Sequence, residues 1–112
     1  MADLTDQLEI APATVVQIIF LSREQGAVSE AELHAFIDAL NEDEKAHLTA
    51  IAWVGRGAFE PEDYASAVEA AFAGASTPTA DYLMGMPHLA ENLEAGLEAL
   101  GVDVAAEEED LL

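Results

Sequence analysis

Glu44 and His47 stand three residues apart in a stretch of helical pattern, a spacing that turns a carboxylate and an imidazole to one helix face. Di-iron carboxylate bundles use two such pairs with two further glutamates. This chain has no second copy, and His88 with Glu91 carries the reverse order. His34 and His47 lie about equally far from the turn at Asn41. A folded-back helix pair would bring them together with Asp38 close by, and such a set could hold a divalent metal. With twenty-three acids in the chain, however, carboxylate–histidine neighbours arise by chance. A solvated helix face outweighs a metal centre, and no cofactor is expected.

The string Trp53-Val54-Gly55-Arg56-Gly57 offers different chemistry. Glycines on both sides of an arginine allow a tight turn and expose the side chain. No Lys-Ser or Lys-Thr follows and no strand precedes it, so it is not a phosphate cradle. It reads first as a helix stop whose arginine pairs with a carboxylate and ties two elements together, with Trp53 in the core. The alternative is a binding role for Trp53 and Arg56. Tyr82-Leu83-Met84-Gly85-Met86-Pro87 combines an aromatic ring, two thioethers and a chain break. Flexible thioethers line adaptable grooves or, more often, fill gaps where short helices meet. Trp53, Arg56, Tyr82, Met84 and Met86 are therefore the candidate binding residues; His34, Asp38, Glu44 and His47 are the weaker metal candidates. Ser22, Ser29, Ser66 and Ser76 sit in no nucleophile elbow. The pattern points away from an enzyme.

These side chains must be positioned by helices. Pro12 suits a first helical position, and the apolar residues from Val15 to Leu21 surround the axis of a helix that runs to Gln25. A helix apolar on all sides is buried. Gly26 stops it. Ser29 with Glu32 forms a capping-box pattern that starts a second helix near Glu30, with Leu33, Phe36, Ile37 and Leu40 as its stripe. Asn41 with Glu44 repeats the pattern and opens a third, which the Gly55-Arg56-Gly57 run ends; so short a joint predicts an angled or antiparallel pair. Pro61 begins a fourth helix with Tyr64, Val68, Ala71 and Phe72 on its apolar face, closed by Gly74. Thr77-Pro78 starts a short fifth. After the break at Gly85, Pro87 restarts the chain into a helix with Leu89, Leu93, Leu97 and Leu100 on one face, stopped by Gly101.

Composition agrees with that outline. The chain has 112 residues, 52% of them hydrophobic, enough for one domain with a true core. Three bases (Arg23, Lys45, Arg56) face twenty-three acids, a formal charge of −20. Nucleic-acid binding through phosphate neutralisation is thereby excluded, as are anionic membrane surfaces. There is no cysteine, no signal-peptide pattern, and the longest apolar stretch, Ile10 to Leu21, falls short of the roughly 20 residues of a membrane span. A cytoplasmic location is expected. The fold expected is all-α: a compact bundle of five to six short helices over residues 10–101. An extension over 1–9 precedes it, with Leu4 and Leu8, and Ile10 just beyond, packing on the flank, and a disordered acidic tail over 102–112 follows.

Three segments in this order carry a resemblance: Glu32 to Glu44, Ala52 to Gly57, and Thr79 to Pro87. Together they resemble an uncharacterised proteobacterial family known as a domain of unknown function (DUF3775-like). That resemblance implies a small bacterial cytoplasmic domain and brings no activity, cofactor or catalytic residue with it. From the residues themselves the leading expectation is a protein-interaction or regulatory module. Its central helices are hydrophobic enough to leave room for a homodimer interface or an unknown protein partner. One alternative is an acidic polyanion mimic that inhibits a basic partner; another is a carboxylate–histidine metalloprotein. The acids spread along the chain: setting aside the five beyond Gly101 still leaves eighteen. A solubilising or salt-adapted shell is therefore favoured over mimicry.

Overall fold

The structure, a computed structural model, describes residues 7–24, 26–74 and 77–111, with side chains in the last helix as far as Glu107. Expectations that fall on Leu4, Gln25, Ser76 and Leu112 lie outside those residues. Seven α-helices occur among them: α1 (Pro12–Arg23), α2 (Ala27–Asp38), α3 (Glu42–Gly55), α4 (Tyr64–Ala73), α5 (Thr79–Met84), α6 (Leu89–Ala99) and α7 (Val104–Leu111). A 3-10 turn, Pro61–Asp63, leads into α4. No strand occurs among the described residues, and no helix among them is long and apolar enough to cross a membrane.

Burial follows the apolar pattern. Pro12 opens α1, and Val15, Val16, Ile18 and Ile19 lie wholly inside. In α3 every residue from Ala46 to Ala52 is buried. Asn41 caps that helix: its side chain accepts from the Glu44 N–H at 2.8 Å, and the Glu44 carboxylate accepts from the Asn41 N–H at 3.0 Å. The three acids of this first turn also face the positive end of the helix dipole.

Helices α3 and α6 form the most extensive pair, and α3 also packs on α4. The closeness of the α3–α6 crossing comes from glycine. A Cβ on Gly55 would stand 2.6 Å from the carbonyl carbon of Asn92 and 2.9 Å from the N of Gly96. One on Gly96 would stand 2.9 Å from the carbonyl carbon of Ile51. The two backbones touch. Leu93 and Leu97 flank the crossing and are fully buried.

Three expectations need correction. Helix α2 begins at Ala27 behind Gly26, because the Ser29 hydroxyl donates to the Glu24 carboxylate at 3.2 Å and forms no box with Glu32. Of the two arrangements expected for α2 and α3, the folded-back one is excluded, because α2 packs on α1 and α5 instead. Phe72 lies outside the core, 47% exposed, while Ala67 takes the inner position on α4. Packing also continues past Gly101 as far as Val104. With Gly101 at φ 97°, the Val102 N–H donates to the Leu97 carbonyl at 2.9 Å and that of Gly101 to Glu98 at 3.1 Å. This helix-ending motif folds the following apolar residue back against the helix, so Val102 and Val104 are buried, and α7 packs on α1.

If the glycine crossing sets the packing, Gly96→Ala should cost roughly 1–3 kcal/mol through overpacking. Gly85→Ala, where a Cβ would meet only ordinary contacts at 3.5 Å, should change stability by less than about 1 kcal/mol. Urea unfolding of both variants decides the point, and equal midpoints would refute it.

Candidate functional site

Three places gather polar or aromatic side chains. The first is an aromatic cluster between α3, α4 and α5. The indole N–H of Trp53 donates to the Tyr82 hydroxyl at 2.9 Å. Phe59 stacks on Trp53 with ring centroids 5.8 Å apart, and Tyr82 meets the indole edge-on at 6.4 Å. Trp53 and Tyr82, with Thr49, Ala71 and Thr79, line a groove of about 250 Å³. Trp53 is half-buried, not a core residue, and Tyr82 is 38% exposed. Phe72, next in the chain to groove-lining Ala71, is exposed as well. Helix spacing explains the α3 wall, since Thr49 and Trp53 are four residues apart on one face. Arg56, one turn beyond Trp53, is exposed. No carboxylate lies within ion-pair distance of it among the described residues, so the expected Arg56 tie between elements does not form there.

The second is a larger groove, about 540 Å³, where the end of α1, the start of α2 and the α5–α6 turn meet. Met84 and Met86 line it beside Leu33 and Leu89. The sequence candidates therefore divide: Trp53 and Tyr82 belong to one groove, the methionines to the other. His88, also on this lining, precedes α6 in a left-handed conformation at φ 58°, ψ 38°, which histidine tolerates better than most residues.

The third is a buried polar network. Nδ1 of His47 accepts from the Tyr64 hydroxyl at 2.6 Å and from the backbone N–H of Glu9 at 3.3 Å. With Nδ1 an acceptor, the ring proton sits on Nε2, which faces the Glu9 carboxylate at 3.7 Å. Burial holds the His47 imidazole below its ordinary 6.5, against the opposing pull of the Glu9 and Asp43 carboxylates. Burial, and then Glu9, pushes the Tyr64 phenol well above its usual range. The network ties the segment before α1 to α3 and α4, and the pattern around His47 gave no hint of Tyr64 as its partner.

The weaker metal candidates are dispersed. His34 Nε2 meets Asp81 of α5 at 2.9 Å, Glu44 is occupied in the cap of α3, and His47 is held by Tyr64. Because α2 leaves α3 to pack on α1 and α5, His34 and His47 have separate partners. Among the described residues no three His, Asp or Glu side chains gather in a way that could hold a metal ion.

A family model described as "Protein of unknown function (DUF3775)" matches residues 30–102. No curated protein and no solved structure matches the chain.

The lowered basicity of His47 has a sign. On acidification the unfolded chain takes up the proton before the folded one, so this contribution to stability is complete above pH 6.5 and is lost as pH falls below it. Wild type should lose stability between pH 7 and 5.5 more steeply than His47→Gln, by at most about 1.4 kcal/mol per pH unit. Parallel pH–stability curves in chemical denaturation would reject this.

Proposed function

We propose that the chain, which belongs to the DUF3775 family of proteins of unknown function, is a protein-interaction module that docks a partner on the groove between α3, α4 and α5. The exposure of Tyr82 and Phe72 beside half-buried Trp53 carries this reading. Monomeric surfaces seldom group aromatic rings around a concavity without a use for them. Trp, Tyr and Arg are also the residue types that dominate binding hot spots, and Arg56 lies one helical turn from Trp53. The lining of this groove contains threonines, alanine, glycine and the two aromatic residues, with no carboxylate, imidazole or amine. Such a surface suits binding; its one phenol, Tyr82, accepts from the Trp53 indole N–H.

A different chain suits the groove better than a second copy, because two molecules of charge −20 repel each other. Exposed acids occur on each of α2 to α6, which supports a solubilising shell more than a charge mimic confined to one face. The same reading takes the module to work in the cytoplasm.

The test is a double variant, Phe72→Ser with Tyr82→Ser, compared with wild type in affinity capture from the native host. The variant should keep its helical circular dichroism and lose the captured partner by tenfold or more, as removal of hot-spot aromatics does. Unchanged capture by the variant, or nothing specific captured by wild type, would overturn the assignment.

A further inference from the structure

The methionine groove has the opposite chemistry to the aromatic one. At about 540 Å³ it falls inside the ~300–1,000 Å³ range of ligand sites. Its lining includes the side of Leu33 and Leu89, both largely buried, and the thioethers of Met84 and Met86. Around these stand Glu24, Glu30 and Glu91, all three lining residues and all exposed. Arg23 is the one Lys or Arg on the lining, and Glu94 already holds it at 3.2 Å. The groove thus offers a small apolar floor, chiefly half-buried Leu21 and Met84, beneath a polar and mainly acidic rim.

We propose that this groove docks a basic amphipathic segment of a partner protein, with apolar side chains against the methionines and Lys or Arg heads on Glu24, Glu30 and Glu91. Lysine and arginine lay their methylene stems along apolar surface while keeping the charge in water, which suits a narrow apolar floor edged by acids. Methionine adapts its shape to the side chain it meets. The overall charge of −20 raises the local concentration of a basic partner and speeds its encounter, and disfavours a second copy of this chain as occupant. The inference rests on the interaction-module reading and adds the partner's chemistry, but it does not require the aromatic groove.

The probe is a fluorescein-labelled amphipathic peptide of leucine and lysine, with a scrambled peptide of the same composition as control, titrated into the full chain by anisotropy. The ordered peptide should bind more tightly than the scrambled one. The triple variant Glu24→Gln, Glu30→Gln, Glu91→Gln should weaken it roughly tenfold, as loss of three exposed pairs allows. The triple variant Glu60→Gln, Glu69→Gln, Glu98→Gln, with the same change in net charge, should weaken it less than about twofold by the same reckoning. In methyl-labelled protein the Met84 and Met86 signals should move, while the fluorescence of Trp53, the only tryptophan, stays constant. Equal losses in the two triple variants would reduce the binding to diffuse electrostatics and overturn the proposal. A response at Trp53 without one at the methionines would assign the peptide to the aromatic groove and overturn it too. Ordered and scrambled peptides binding alike would also overturn it, while the capture experiment above would still decide the interaction reading itself.

Discussion

At Gly55 and Gly96 the backbones of α3 and α6 meet with no side chain between them, where helix axes are ordinarily kept about 8–10 Å apart. Contact at that range is set by carbonyl groups, which cannot change rotamer to absorb a misfit. The register of the pair is therefore fixed, and with it the direction of α3. Ala46, Ala50 and Ala52 on α3 are small and buried as well. α4 packs against α3, and α1 packs against α6. α2 attaches to this frame through α1, and α5 packs on α2 and on α3, joined to α2 by His34 and Asp81.

The frame must also resist its own charge. At low ionic strength a net charge of −20 works against compaction, and salt screens it. Where the acids fall limits the damage. α1 contains none and lies in the core, while Glu42, Asp43 and Glu44 collect at the α3 N-terminus, where the helix dipole favours them. Only His47 and Thr49 are buried polar residues among those described, and both find partners: His47 through Tyr64 and Glu9, Thr49 through the Lys45 carbonyl. No buried side-chain polar atom among them lacks a hydrogen bond, so the interior adds no desolvation penalty of that kind to the repulsion outside.

Periodicity made the helices legible. The all-round apolar α1, the Asn41–Glu44 box and the leucine face of α6 all follow from residues a few positions apart. What the sequence left ambiguous depends on contacts between distant residues. Ser29 with Glu32 has the same pattern as Asn41 with Glu44, yet Glu24, held nearby by the end of α1, captures the serine hydroxyl. Gly96 is indistinguishable in sequence from a mildly unfavourable helix residue; only the position of Ile51 explains it. Val102 looks like the start of an acidic tail until the turn at Gly101 folds it inward. Among the candidate site residues, types were informative and groupings were not. Trp53 and Tyr82 do meet, at a separation of twenty-nine residues, whereas His34 and His47 go to different partners because the joint at Asn41 does not fold α2 onto α3.

Both grooves border on the same short element, and its length explains them. α5 has six residues, too few to cover the ends of the longer helices around it. Its core face, Ala80 and Leu83, is buried. Successive positions on a helix turn by about 100°, so Tyr82 and Met84, two residues apart, point to different sides. One therefore enters the aromatic groove and the other the methionine groove. Immediately after α5 the chain breaks at Gly85 and Pro87 and passes through the left-handed His88 before α6 begins, which leaves the second groove unfilled at its end. A longer α5 would close both openings at the cost of their exposed side chains. The two surfaces are thus a consequence of one short helix wedged between a tightly locked α3–α6 pair and α2, and the side chains that the chain places there are of the adaptable and aromatic kinds that binding uses.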